Sequence, residues 1–259
     1  MIFITGDCHG EFNRFSSSNF PGQKELTKED IVMICGDFGG IWHYEKESAE
    51  EKYWLDWLDG KPFTTVFIDG NHENFDRLNN DYETVIFHSG KAHKIRNSVY
   101  HLMRGEIFVF DRKTFFVFGG ARSHDIDDGI LYRENFATNE QFRQKINQMV
   151  TQRKSFRIHK KTWWEEELPS EEEIANAEKN LLRVNFEVDY VISHCTAPSV
   201  FYAMYRYNDT PDRLTAYFED LLHRLKFKQW FFGHYHTEGT VLEKFTTLYE
   251  NIILLPTEN

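Results

Sequence analysis

Two aspartates, one asparagine and four histidines stand where short apolar runs of this chain stop: Asp7 and His9, Asp37, Asn71, His194, and His234 with His236. Two carboxylates, an amide oxygen and four imidazoles form a donor set suited to borderline divalent ions such as Mn, Fe, Zn or Ni, unlike an all-oxygen Mg or Ca cage. Asp7-x-His9 and His234-x-His236 repeat at a spacing of two. In locally extended backbone both side chains of each pair leave one face, so each pair grips one ion or straddles two. Flanking glycines, among them Gly36, Gly70 and Gly233, permit tight turns and close approach of backbone to an anion. Singly, each feature has an ordinary reading, a hydrogen-bonded histidine or a Gly-Asp turn. Together, at five strand ends, they point to a site.

The elements that must position these residues are legible as β-rich runs: Ile2-Phe3-Ile4, Ile31 to Cys35, Val66-Phe67-Ile68, Tyr190-Val191-Ile192 and Trp230-Phe231-Phe232, with Phe115 to Phe118 ending at Gly119-Gly120. Continuous apolar runs of this length read as strands buried on both faces. Helical stretches alternate with them, which predicts an α/β fold. Ser48 to Leu58 is one, stopped by Gly60 and Pro62; Thr210-Pro211 reads as an N-cap with Pro at the first helical position, opening a helix to Leu225; Ser170 and Glu173 form a capping box before Ile174. From Asn139 to Leu168 no clean period holds, and the stretch 139–185 reads as an inserted helical or irregular subdomain within one domain spanning 1–259. Its basic residues suit either an anionic substrate or a solvated surface.

Against 30 basic residues the chain carries 41 acidic ones, a formal charge of -11. That balance opposes broad attraction to a nucleic-acid backbone or an anionic membrane. No apolar run approaches the roughly 20 residues of a membrane span. The amino terminus has no export signal, and three cysteines without C-x-x-C spacing give no disulfide framework, so a cytoplasmic location is expected. Cys8, Cys35 and Cys195 each adjoin one of the clusters, as apolar filler or as an oxidation-sensitive thiol.

In order, the chain reads Gly6-Asp7-Cys8-His9-Gly10, Gly36-Asp37, Gly70-Asn71-His72-Glu73, Ser193-His194 and Gly233-His234-Tyr235-His236. This ordered set resembles the motifs of the calcineurin-like metallophosphoesterases across about residues 1–240. The resemblance implies a four-layer α/β/β/α sandwich of two mixed sheets, with metals at the C-terminal strand ends. It implies hydrolysis of a phosphate ester, monoester or diester, by attack of a metal-activated hydroxide on phosphorus. Asp7, His9 and His236 would hold one ion and Asn71, His194 and His234 a second, with Asp37 bridging. Mn is the first expectation, with Fe, Zn, Ni or Mg as other occupants. His72 matches the family's catalytic histidine, which protonates the leaving alkoxide. The expected substrate is a small molecule or a phosphoprotein rather than extended nucleic acid.

Protein phosphatases of this superfamily continue their second block as Gly-Asp-x-x-Asp-Arg-Gly, whereas this chain has Gly36-Asp37-Phe38-Gly39-Gly40-Ile41. The missing Arg leaves a phosphate contact to be supplied. Arg122, after a strand and a glycine pair, and Arg77 are the candidates, each with a structural salt bridge as its alternative. Two other readings stand beside the phosphatase: a nucleotide phosphodiesterase or nuclease, and a non-catalytic metal-containing scaffold.

Overall fold

The structure is a computed structural model that describes residues 1–256. Its first sheet is built from β1 (Ile2–Thr5), β2 (Ile31–Ile34), β3 (Thr64–Phe67), β4 (Glu83–Phe87), β5 (Gly90–Arg96), β6 (Val99–Leu102) and the late β15 (Ile253–Leu254), in the order β15-β1-β2-β3-β6-β5-β4. The second holds β7 (Ile107–Phe110), β8 (Lys113–Phe118), β11 (Tyr190–Ser193), β12 (Gln229–Phe232), β13 (Gly239–Val241) and β14 (Phe245–Thr247), in the order β13-β14-β12-β11-β8-β7. Between β8 and β11 in the chain, β9 (Ile130–Leu131) and β10 (Arg157–Ile158) form a small parallel pair. Both large sheets are mixed. β1, β2, β3 and β6 run parallel, as do β8, β11, β12 and β14, with antiparallel strands at the edges.

Alternation along each strand sorts its side chains into layers. Ile2, Ile4, Ile31, Met33 and Val66 of the first sheet pack on Phe115, Val117, Tyr190, Ile192 and Phe231 of the second. On the outer face of the first sheet, Val32, Ile34 and Phe67 meet Leu55 and Leu58 of α1 (Ala49–Asp59) and the buried rings of Phe12, Phe15 and Phe63. A short helix, α2 (Phe75–Asn80), follows β3. On the outer face of the second sheet, Phe116, Phe118, Val191, Trp230 and Phe232 meet three helices. These are α4 (Glu171–Arg183), α5 (Pro198–Tyr205) and α6 (Arg213–Leu222), contributing Ala177 and Leu181, Val200, and Leu214, Phe218 and Leu221. Helix, sheet, sheet, helix is the layering the resemblance implied.

The capping box at Ser170 forms as expected, and a second one at Ser48 opens α1. The start of α6 does not fall at Thr210-Pro211. Asp212 caps it instead, its Oδ1 accepting from the amides of Leu214 and Thr215 at 2.8 and 2.9 Å, since a carboxylate satisfies two free N–H groups and opposes the helix dipole. The remaining helix, α3 (Asn139–Thr151), buries Met149 alone. Downstream of it Trp164 is fully buried, donating from Nε1 to Asp76 Oδ2 at 3.1 Å. Glu167 accepts from the amide and hydroxyl of Ser123 at 3.0 and 2.8 Å, tying this segment to the end of β8.

Burial lifts the Glu167 carboxyl from its usual 4.5 to about 8, with the Ser123 bonds and Arg157 opposing. The folded chain therefore holds a proton that the unfolded chain has released, and stability falls as pH rises from about 4.5 to 8. Glu167→Gln should flatten that fall. Urea midpoints at pH 5 and 8 for both proteins test it, and an unchanged difference between the two pH values would refute it.

Candidate metal centre

Because the central strands of each sheet run parallel, their C-terminal ends open on one edge of the sandwich, where α/β folds place their ligands. Asp7 follows β1, Asp37 follows β2, Asn71 follows β3, His194 follows β11, and His234 and His236 follow β12. The five loops knit together through the two carboxylates. Asp37 Oδ1 accepts from the amides of Asn71 and His72, both at 2.8 Å, and Asp7 Oδ1 accepts from the amide of His234 at 2.9 Å. The carbonyl of Asp37 in turn receives the amides of Cys8 and His9 at 3.0 and 2.8 Å.

Such closeness explains the motif glycines. A Cβ on Gly70 would lie 2.1 Å from Asp37 Oδ1, and one on Gly36, whose φ is +93°, would lie 2.2 Å from His194 Nδ1. His9, Asp37, His234 and His236 also adopt positive φ, between 44° and 68°. Non-glycine residues in that region cost about 1–3 kcal/mol each and persist where surrounding structure over-determines them, as it does at functional sites.

The side chains converge accordingly. His236 Nε2 lies 3.2 Å from Asp7 Oδ2 and 3.0 Å from His9 Nε2. The two Asp37 oxygens reach opposite ways, Oδ2 to His9 Nδ1 at 3.7 Å and Oδ1 to His194 Nε2 at 3.2 Å. The His194 ring donates from Nδ1 to the Cys35 carbonyl at 2.8 Å, which fixes the tautomer so that Nε2 turns its lone pair into the site. His234 stacks beside His194 with ring centroids 4.9 Å apart. His72 lies edge-on to His9 at 4.9 Å and tilted over Trp42 at 5.5 Å.

Asp7 and Asp37 are almost wholly buried, and among the described residues their ion-pair partners are imidazoles. Burial works against a charged His194, yet Asp37 and Asp7 raise its pKa, drawing a proton to Nε2 at the place a cation would otherwise take. The cluster demands positive charge. Asn71 Oδ1 is a buried acceptor without a hydrogen-bond partner, a cost of about 1–3 kcal/mol unless a cation takes its lone pair, while Asp7 Oδ2 faces His236 Nε2 and Asp37 Oδ1 faces His194 Nε2, each at 3.2 Å. The triads Asp7-His9-His236, His9-Asp37-His72 and Asp7-Asp37-His194 each bring ligand atoms within 4.8 Å of one another. The residues present fit divalent ions.

With the geometry in view, comparison with known proteins adds the family. The calcineurin-like phosphoesterase family model matches residues 1–238. The chain belongs to the calcineurin-like phosphoesterases. Divalent metals and phosphate-ester chemistry come with that membership. Among individual relatives, lariat debranching enzyme A of Xenopus laevis is 32% identical over 85 residues, covering 28% of this chain and 16% of that protein. The match thus spans far less than two thirds of that relative's length.

In this phosphoesterase one of the two arginines singled out from sequence, Arg77, is turned away from the cluster. Arg77 is buried, its guanidinium donating to Glu51 at 3.0 Å and to the His43 carbonyl at 2.9 Å, where it braces the loop whose Trp42 and His43 amides also bind Glu51. Arg122 is exposed. An arginine that reaches His72 is Arg157 on β10, its Nη2 3.5 Å from His72 Nε2 and its guanidinium paired with Asp125 at 2.7 Å. No motif flags it. His124 likewise brings Nε2 within 2.6 Å of His234 Nε2, and Tyr249 stacks on His236 at 4.4 Å. The cysteines are free and buried, with burial pushing the Cys8 thiol up to about 12 and Cys35 and Cys195 well above their usual value. Neutral thiols packed among apolar side chains fit the filler reading.

Two outcomes are expected of the purified chain. Mn²⁺ at a hundred times its Kd should stabilise the fold by about 2.7 kcal/mol, and Asp37→Asn should lose most of that gain. Gly70→Ala should weaken Mn²⁺ binding at least tenfold with far-UV dichroism preserved. Thermal shifts and calorimetric titration read both; full metal-induced stabilisation of Asp37→Asn would remove Asp37 from the centre.

Proposed function

We propose that this phosphoesterase is a hydrolase of phosphodiesters working through a dinuclear metal centre, with Mn the ion to try first. Asp7, His9 and His236 would hold one ion, Asn71, His194 and His234 the other, and Asp37 would bridge them. When bound, such a pair supplies polarisation of the phosphoryl oxygens and a water of lowered pKa. The observation that carries the reading is the convergence of ligand atoms of Asp7, His9, Asp37, His194 and His236 in triads within 4.8 Å, with Asn71 Oδ1 buried and unpaired and Arg157 3.5 Å from His72.

His72 is the proton donor to the leaving alkoxide in this scheme. Burial lowers its pKa, with Asp37 opposing and Arg157 assisting; the negative charge of a bound phosphate would raise it and favour the protonated form that the donor role needs. Arg157 offers N–H groups to a non-bridging phosphoryl oxygen. The preference for a diester follows from charge. A single guanidinium, already shared with Asp125, suits a monoanion better than the dianion of a monoester. On this view the inserted stretch 139–185 belongs to one working domain and contributes Arg157 to the site. Among the described residues no helix is long and apolar enough to cross a membrane, and the three free cysteines suit a reducing cytoplasm.

Metal-stripped protein assayed on 4-nitrophenyl phosphate and on bis(4-nitrophenyl) phosphate, with and without Mn²⁺, tests this reading. Turnover should require metal and favour the diester at least tenfold in kcat/KM. His72→Ala should lower kcat by about 10²–10⁴ with bound Mn²⁺ unchanged. A monoester preference would overturn the diester assignment, and an equally active His72→Ala protein would overturn the role of His72.

A further inference from the structure

A cavity of about 270 Å³ opens directly on His9, and the metal cluster does not account for it. Its lining is a floor of backbone at Gly10, Gly39 and Gly40 and walls formed by Trp42, Trp54 and Phe12. Drug-sized ligands take pockets of roughly 300–1,000 Å³, so this one fits a single ring system. Two loop features shape it. Where protein phosphatases carry Asp-Arg, this chain has Gly40 and Ile41; Ile41 is fully buried, and a Cβ on Gly40 would lie 2.4 Å from the buried Phe38 ring, so neither position sends a side chain into the space. Glu51, whose carboxylate accepts from the Trp42, His43 and Ser48 amides at 2.6–2.7 Å, holds the Trp42 loop against α1.

The rim is acidic. Glu11 and Glu50 line it and are both exposed, and a carboxylate is an acceptor only. Aromatic walls recognise a planar ring by its face, and an acceptor rim selects a ring whose edge carries amino donors. The same carboxylates repel a second phosphate.

We propose that this cavity is a nucleobase subsite that takes an amino-bearing base, so that the substrate is a small nucleoside phosphodiester with one arm in the cavity and its phosphorus over the metal centre. The inference rests on the phosphodiester reading above and adds to it the class of group that the diester carries. Trp42 touches both places, since its ring also tilts over His72 at 5.5 Å, and a base stacked on it would set the phosphate beside His9 and Arg157.

The test uses the full chain with saturating Mn²⁺ and three substrates: the 5′-methyl phosphodiesters of adenosine and of uridine, and the 5-methyl phosphodiester of ribose without a base. Mass spectrometry of the products gives the rates. KM for the adenosine ester should be at least tenfold below that of the base-free ester, with uridine between them. Trp42→Leu and Glu50→Lys should each shrink the adenosine advantage several-fold. Glu50 is exposed, so Glu50→Lys carries the test should Trp42→Leu fail to fold. Equal KM for the adenosine and base-free esters, with both hydrolysed, would overturn the subsite and leave the phosphodiester reading standing. If none of the three is hydrolysed, quenching of tryptophan fluorescence by adenosine decides: saturable quenching lost in Trp42→Leu supports the subsite, and no quenching overturns it. Turnover of bis(4-nitrophenyl) phosphate reports separately on the phosphodiester reading.

Discussion

Two carboxylates in a nearly dry place govern this structure. Asp7 and Asp37 are buried at the mouth of the sandwich, where an ionised group is tolerable only if hydrogen bonds and positive charge surround it. The hydrogen bonds come from the backbone of neighbouring loops, the amides of Asn71, His72 and His234. The loops take their course to bring those N–H groups to the carboxylates, which is why glycine stands at positions 36 and 70 and why four ligand residues accept positive φ. Neutralisation falls to the imidazoles and to the ions the family binds. Sequence motif, backbone strain and charge are one constraint seen from three sides.

A second layer of ion pairs holds the loops from behind. Asp69, just before Gly70, receives the Arg104 guanidinium at 2.8 Å and His101 Nε2 at 3.0 Å, while its carbonyl accepts the Gly120 amide at 2.9 Å. Burial opposes ionisation of Asp69, but Arg104 and His101 hold its carboxyl well below the usual range. The loop after β3 is thereby anchored to the loop after β8 in the other sheet. The Glu51–Arg77 pair does the same for the Trp42 loop. Arginine serves here as an internal brace, because its several N–H donors can satisfy a carboxylate and a carbonyl together.

The metal cluster was legible because its chemistry demands particular residue types, and each lies at the end of an apolar run long enough to read as a strand. Apolar continuity also gave the central strands, though their division between two sheets came from family resemblance, since a run buried on both faces does not state its neighbours. Other features left no local trace. Arg157 is one basic residue among several in an aperiodic stretch, and what sets it apart is the fold of β10 against β9. The β4–β5 hairpin escaped because Glu83–Phe87 is mostly exposed and lacks a clean alternation. Arg77 looked like a phosphate ligand by its closeness to Asn71 and His72 in sequence, yet α2 turns it toward Glu51 instead. Proximity along the chain is a weak guide where a helix begins within three residues of the motif.

The centre lies across the seam between the sheets, since Asp7, Asp37 and Asn71 belong to the first and His194, His234 and His236 to the second. Neither half of the chain owns a complete ligand set. Ions held by these residues would act as rivets beside the apolar core and the Asp7–His234 and Asp69–Gly120 hydrogen bonds that already join the two layers, so that the energy of holding them would also keep the halves in register.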